Sequence, residues 1–456
     1  MSDELKNKEQ VENKEETVQE AKEEASSHKA SGHHHHSGHH HSHHHGHHRH
    51  GRHRRSSRWK RKIKRFFRRN KHKMINIIAC TLAVALMIGF AFTRDKDGQN
   101  DTPASSGVTL TQSAVSIKSS LYEGEILLVD DAISTYMAKS NTLSAHDVYG
   151  NYKGYERRLD VGVPVEYTYE VTGLPANVFV KEGILEVSEY RDYSNALEFP
   201  VVASSHTIEL YHLKVGTKYY YRLTLNLNNN SVVGTNGEFT TKASPRFLKI
   251  DGIKNVRDFG GWKMVNDKTV KQGLLYRGTE LDGAVESGYR LTPQGLSDMT
   301  QTLGIRFDMD LRAPSVNTNR VDALGSNIPH KYYNAQMYSD ALKDEHKETM
   351  RKIFGDLANK NNYPIYMHCT YGRDRTGTVC YLLDGLLGVS REDAFKEYEL
   401  SAFVDSFANT EEFRNLDAKV AAFSGNTFQQ KVENYLLSVG VTSAEINSIR
   451  EIFLGK

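Results

Sequence analysis

The sequence predicts a membrane-tethered chain in which an all-β unit is followed by a C-terminal α/β unit with a largely parallel sheet flanked by helices. Three observations carry this. Met74–Phe92 is an apolar run of 19 residues without a charge. Residues 108–243 alternate apolar and polar side chains with period two and show few helical signals. Beyond residue 243, short apolar strands alternate with helical runs, the order that builds helices onto a parallel sheet. A length of 456 residues leaves room for about three units at ~150 residues each.

Residues 1–57 form the tail. It is Glu/Lys-rich to residue 27, and His28–His53 then carries 15 histidines spaced by Ser, Gly and Arg. So few large apolar groups cannot bury a core, and disorder is expected. Clustered imidazoles can take up divalent metal weakly, without fixed geometry; the alternative is a solvated spacer that gains charge below about pH 6.5. No cofactor is assigned.

Residues 58–73 (RWKRKIKRFFRRNKHK) are basic and abut the 74–92 run, which as a helix spans roughly 28 Å, the thickness of a bilayer. The Lys/Arg asymmetry places the N-terminus in the cytoplasm and everything after Phe92 outside the cell membrane, single-pass. A cleaved signal peptide would need a 73-residue n-region, so an uncleaved signal anchor is the reading. The basic segment then grips anionic lipid, at about 1 kcal/mol per cation. Residues 1–73 hold 19 Lys and Arg against 9 Asp and Glu, leaving 40 against 47 for the rest. A mildly acidic exported part excludes a general nucleic-acid binder. Three cysteines exclude a disulfide scaffold; Cys80 falls in the span, and Cys380 reads as core.

After a polar linker (93–107), strands are expected at Val163–Val171, His206–Leu213 and through Tyr219, Tyr221, Leu223, Leu225 and Leu227, with a turn at Asn228–Asn230. LKVGTKYYYRL, a hairpin and FTT resemble the last strands of a fibronectin type III-like sandwich, in which Tyr219 would be the corner tyrosine. The resemblance covers about the last 80 residues of 108–243, while Val108–Tyr155 fits it poorly. A spacer or docking module is expected.

In residues 244–456, strands are expected at Leu274–Tyr276, Ile305–Leu311, Lys331–Asn334 and Ile365–Met367, with helices at Glu345–Asn359 and Phe428–Leu437. The informative stretch is PIYMHCTYGRDRTG (364–377): an apolar run ending at His368, a glycine-containing loop, and a helix opening near Thr376. Five residues between Cys369 and Arg375 let successive amides turn inward on an oxyanion at a helix N-terminus. Arg375 offers a planar fork to two of its oxygens, and that field favours the thiolate of Cys369 as nucleophile. Gly372 permits close backbone approach. Thr370, Tyr371 and Arg373 complete the cradle, Thr376 can donate to the sulfur, and His368 orders the loop. The plain alternative for Cys369 is an inert buried thiol.

HCTYGRDRTG resembles the signature of cysteine-dependent phosphatases, and within them the bacterial tyrosine-phosphatase family that reads H-C-x-x-G-K-D-R-T-G; here Arg373 stands where Lys is usual. The resemblance implies a phosphocysteine intermediate without metal, with Asp374 as general acid. IKNVRDFGGW (253–262), GLLYRGTEL (273–281) and LGIRFDMDLR (303–312) match the same family in order, and EDAFKEYELS (392–401) is compatible with its later helix. These put Asn255, Arg257, Asp258, Asp310 and Arg312 in supporting places, with Asp310 the second choice for acid. The function implied is a membrane-anchored protein-tyrosine phosphatase, with phosphoserine or phosphothreonine also in range and a phosphorylated protein or small phosphate ester as partner. One alternative is a phosphoinositide or inositol-phosphate phosphatase; another is an adhesin or scaffold with an inactive phosphatase domain.

Overall fold

The computed structural model describes residues 115–121, 124–139, 162–243, 245–316, 322–404 and 409–455. The tail, the basic segment, the 74–92 span with Cys80, and the 93–107 linker lie outside them. Among the described residues no helix is long and apolar enough to cross a membrane.

Two sheets make the first layer pair. One is three-stranded, in the order β1 (Ser116–Ser120), β3 (Val165–Thr172), β6 (Thr207–Leu210). The other has five strands, in the order β2 (Glu125–Ile126), β8 (Val232–Thr241), β7 (Lys218–Leu227), β4 (Val180–Ser188), β5 (Leu197–Val202). The period-two pattern has its physical reason here: Tyr219, Tyr221, Leu223, Leu225 and Leu227 are all buried, and the first four share a core with Leu185 and Val187 of the neighbouring strand and with Val165 and Tyr167 of the other sheet. Tyr219 Oη accepts from the Lys214 amide at 2.7 Å.

The C-terminal sheet runs β13 (His330–Tyr332), β12 (Phe307–Asp310), β14 (Ile365–His368), β11 (Leu275–Gly278), β10 (Arg257–Asp258), β9 (Arg246–Phe247). The four strands from β13 to β11 are parallel, and the two short ones at the edge pair antiparallel, so the sheet is mixed. Strand β14 is buried along its whole length, as a central parallel strand requires. Register aligns Asp310 and Gly278 with His368, so the C-terminal ends of three strands meet where the loop begins.

Helices cover this sheet: α2 (Pro293–Ser297), α3 (Lys347–Leu357), α4 (Asp374–Leu387), α5 (Arg391–Glu399), α6 (Thr410–Ala421), α7 (Phe428–Ser438) and α8 (Ser443–Leu454). Helix α4 is apolar almost all round, because it sits between the sheet and other helices. Gly388, at φ +86°, stops it in the left-handed conformation.

One helix departs from the expected all-β reading of 108–243. Residues Asp131–Ala138 form α1, whose first turn is capped by the Asp130 carboxylate accepting from Ala132 N at 2.9 Å. Its buried residues Ile133 and Tyr136, with Val129, belong to the core of the α/β layer rather than to that of the sandwich. A boundary drawn at residue 243 therefore cuts through a shared core.

Candidate active site

The loop between β14 and α4 carries the sequence motif, and its carbonyls are tied outward. Leu311 N donates to His368 O at 2.8 Å, Glu280 N to Thr370 O at 3.0 Å, and Asn255 Nδ2 to Tyr371 O at 3.0 Å. Arg277 Nη2 donates to Gly372 O at 2.5 Å, and Gly377 N to Arg373 O at 2.7 Å. A loop whose carbonyls are all spoken for on the outside presents its amides to the inside, an anion nest. Gly372 makes the curl possible: its φ is +64°, and a Cβ there would lie 2.2 Å from Gly278 O.

Cys369 is buried at the start of the curl. Thr376 Oγ1 is a buried hydroxyl without a hydrogen-bond partner, so a bound anion or the sulfur would satisfy it. Arg375, half-buried at the end of the loop, has no ion pair among the described residues. Its fork is free for a ligand. Tyr371 is exposed, with the ring of Tyr289 edge-on at 6.0 Å and the Arg373 guanidinium 5.6 Å from its own ring centre. Asp374 opens α4 and is held by Arg373, at 2.9 and 3.0 Å, and by the Tyr338 hydroxyl. Tyr338 also bonds the Tyr398 hydroxyl at 2.9 Å.

His368 lies beneath the loop. Its Nε2 is 2.9 Å from Asp308 Oδ1, and its Nδ1 3.2 Å from Cys369 O. Burial alone would push its pKa down, but Asp310 and Asp308 outweigh that and raise it to about 9. A cationic histidine fixed in this way cannot act as a base. Asp310 is fully buried against the fork of Arg312, at 2.7 and 3.0 Å. Despite burial, His368, His330 and Arg312 hold its carboxyl far below the usual range. It stays ionised and has no proton to give, which corrects its standing as second choice for acid. Arg312 also binds Asp282 at 3.0 Å and Glu280, the residue whose amide holds Thr370.

Asn255 is brought to the loop, Arg257 reaches it only through Asn255 Oδ1, and Asp258 does not reach it. Asp258 pairs with Arg246 at 2.5 Å and accepts from Gly260 N and Gly273 N, so it fixes turns and the edge of the sheet. Arg257 and Arg277 share Glu397, at 3.1 and 2.5 Å. Burial and the neighbouring Arg277 push the Arg257 guanidinium down to about 10, against the pull of Glu397, and both arginines remain cationic at neutral pH. Two cations on one carboxylate leave a net positive field behind the loop.

Sequence reasoning missed Arg277, Glu280, Asp282, Tyr338 and Glu397 as site residues. Arg277, Glu280 and Glu397 sit inside segments that carry the family resemblance, which was the one available signal for them. Cys380 is buried, and burial drives its thiol well up, so it is a core residue.

Residues 248–455 match the model of the Tyrosine phosphatase family. The chain is 27% identical over 175 residues, 33% of its length, to a "Putative tyrosine-protein phosphatase" of Cupriavidus necator, and spans about 61% of that relative. It is 24% identical over 126 residues, 23% of its length, to a "Tyrosine-protein phosphatase" of Nostoc commune, spanning 43% of it. Among solved structures, the core catalytic domain of the PP-IP phosphatase SIW14 from S. cerevisiae is similar at 18% identity and a TM-score of 0.24, over 32% of this chain and 83% of that one. The C-terminal part of the chain, residues 248–455, is thus similar to the Tyrosine phosphatase family.

Proposed function

We propose that the chain is a cysteine-dependent protein-tyrosine phosphatase, with phosphoserine and phosphothreonine in its range. The observation that supports this most is the loop 369–375, its carbonyls bonded outward and the Arg375 fork without a partner among the described residues. In this reading the Cys369 thiolate attacks phosphorus, the S–P bond forms and the P–O ester bond breaks. The leaving oxygen takes its proton from Asp374, whose carboxyl must first leave the Arg373 fork and take up a proton from water. Water then attacks phosphorus and returns a proton to Asp374, releasing inorganic phosphate and the thiolate. The loop amides and Arg375 bind the equatorial oxygens throughout, and Thr376 Oγ1 donates to the sulfur.

The exposed ring of Tyr371, backed by Tyr289, offers a wall for a phenyl ring and supports an aryl ester over a phosphoinositide. Arg373, already engaged by Asp374, is poorly placed to collect the further phosphates of an inositol ring. The same reading has residues 74–92 anchoring the domain outside the membrane. It also takes the sandwich as fibronectin type III-like, supported by the bond from Lys214 N to Tyr219.

The test uses the full chain against phosphotyrosyl peptides, phosphoinositides and an aryl phosphate, with EDTA present. Turnover of the aryl substrates is expected, with Cys369→Ser losing it while still retaining substrate in a pull-down. Equal turnover by that variant would sink the mechanism, and preference for phosphoinositides would move the substrate class.

A further inference from the structure

Helix α1 lies outside the matched family region, yet it packs against the elements that shape the phosphate loop. Tyr136 is buried, with its ring edge-on to Phe403 at a centroid distance of 5.5 Å. Its hydroxyl donates to Glu399, a buried carboxylate at the end of α5. From the other side, Lys396 Nζ donates to Met137 O at 2.9 Å. The segment from Lys396 to Glu399 is therefore gripped by α1 at both ends. Between those ends stands Glu397, the carboxylate shared by Arg257 and Arg277. Arg277 holds Gly372 O, and Arg257 donates to Asn255 Oδ1, whose amide holds Tyr371 O.

We propose that α1 is a positioning element of the phosphatase loop and that Tyr136 is a positioning residue for the reaction. The inference rests on the phosphatase reading given above. A buried hydrogen bond to a carboxylate is worth about 1.5–3 kcal/mol, and its loss falls on the carboxylate-bearing turn next to Glu397. Tyr136 therefore acts on the loop through α5 rather than by touching it. The segment thus gives the β-rich part of the chain a second role beside that of spacer: it sets the geometry of a site to which it contributes no ligand-binding group.

The experiment compares the full chain with Tyr136→Phe, which keeps the ring, and with Lys396→Met, which releases the other end of α1. Three quantities are read: kcat and KM for an aryl phosphate, the thermal midpoint, and the pH profile of Cys369 alkylation by iodoacetamide, followed on the Cys369 peptide by mass spectrometry. Both variants should lose about tenfold in kcat/KM, which is 1.4 kcal/mol, and shift the alkylation midpoint upward. Variants with a lower thermal midpoint but wild-type kcat/KM and an unmoved alkylation profile would overturn the proposal, leaving α1 as a stabilising element alone. A wild type without turnover of the aryl phosphate would instead strike at the phosphatase reading on which it rests. If Tyr136→Phe does not fold, Lys396→Met decides the matter by the same readouts.

Discussion

Replacing Gly372 by alanine tests the loop geometry with a single methyl group. The added Cβ would meet Gly278 O at 2.2 Å and Gly278 C at 2.3 Å, both backbone atoms of β11, where ordinary contact begins at 3.4 Å. No side chain can swing away, so loop and strand must separate by roughly 1 Å in a close-packed interior. The left-handed φ of +64° adds about 1–2 kcal/mol of strain for a residue with a Cβ. A displacement of that size at a reacting centre costs on the order of 100-fold in rate, or about 2.7 kcal/mol. Gly372→Ala should therefore lower kcat/KM for an aryl phosphate by about 100-fold in the full chain. It should weaken inhibition by vanadate in parallel, because the same amides bind both. Steady-state kinetics, vanadate titration and a thermal melt on one preparation give the three numbers. A variant within threefold of wild type in kcat/KM, and folded, would refute the claim that this glycine shapes an anion nest.

Two further outcomes follow from the surroundings of the loop. Asp374→Asn should slow esters of poor leaving groups by about 10²–10⁴-fold and activated aryl esters far less, as read from the slope of log kcat against leaving-group pKa; a uniform loss would move the acid elsewhere. His368 predicts the pH dependence of stability. Its folded pKa near 9 lies above the ~6.5 of an exposed histidine, so the folded state binds the proton more tightly. That stabilisation is complete below pH 6.5, fades as pH rises through 9, and is on the order of 3 kcal/mol. Urea midpoints between pH 6.5 and 9 should fall more steeply in wild type than in His368→Gln, and parallel slopes would show that the Asp308–His368 pair carries no such term.

The loop was legible because its chemistry is contiguous. Cys369, Gly372 and Arg375 are bound to one another by chain spacing, and a turn of that length has few ways to close. What holds the loop was not legible in the same way. Asn255, Arg277 and Glu397 come from three separate segments, and no local pattern states that Asn255 and Arg277 converge on the carbonyls of Tyr371 and Gly372 or that Glu397 holds Arg277 there. Asp258 shows the reverse error. It stands three residues from Asn255 in a segment that does reach the loop, but β10 turns its carboxylate toward Arg246 at the sheet edge. The parallel part of the sheet followed from alternation of elements, whereas the antiparallel edge β9–β10 did not, since two-residue strands carry no periodicity to read. Helix α1 is the most instructive failure. Eight residues give barely two turns of pattern, and DAISTYMA buries Ile133 and Tyr136 against a core that begins more than a hundred residues later. Period reveals that a face is apolar, never whose core it enters. The same gap explains why a family match that begins at residue 248 stops short of the physical domain, which includes α1. A C-terminal fragment cut at residue 244 would expose the pocket that Tyr136 fills and remove the hydroxyl donated to Glu399, so any preparation in which the loop is judged must include α1.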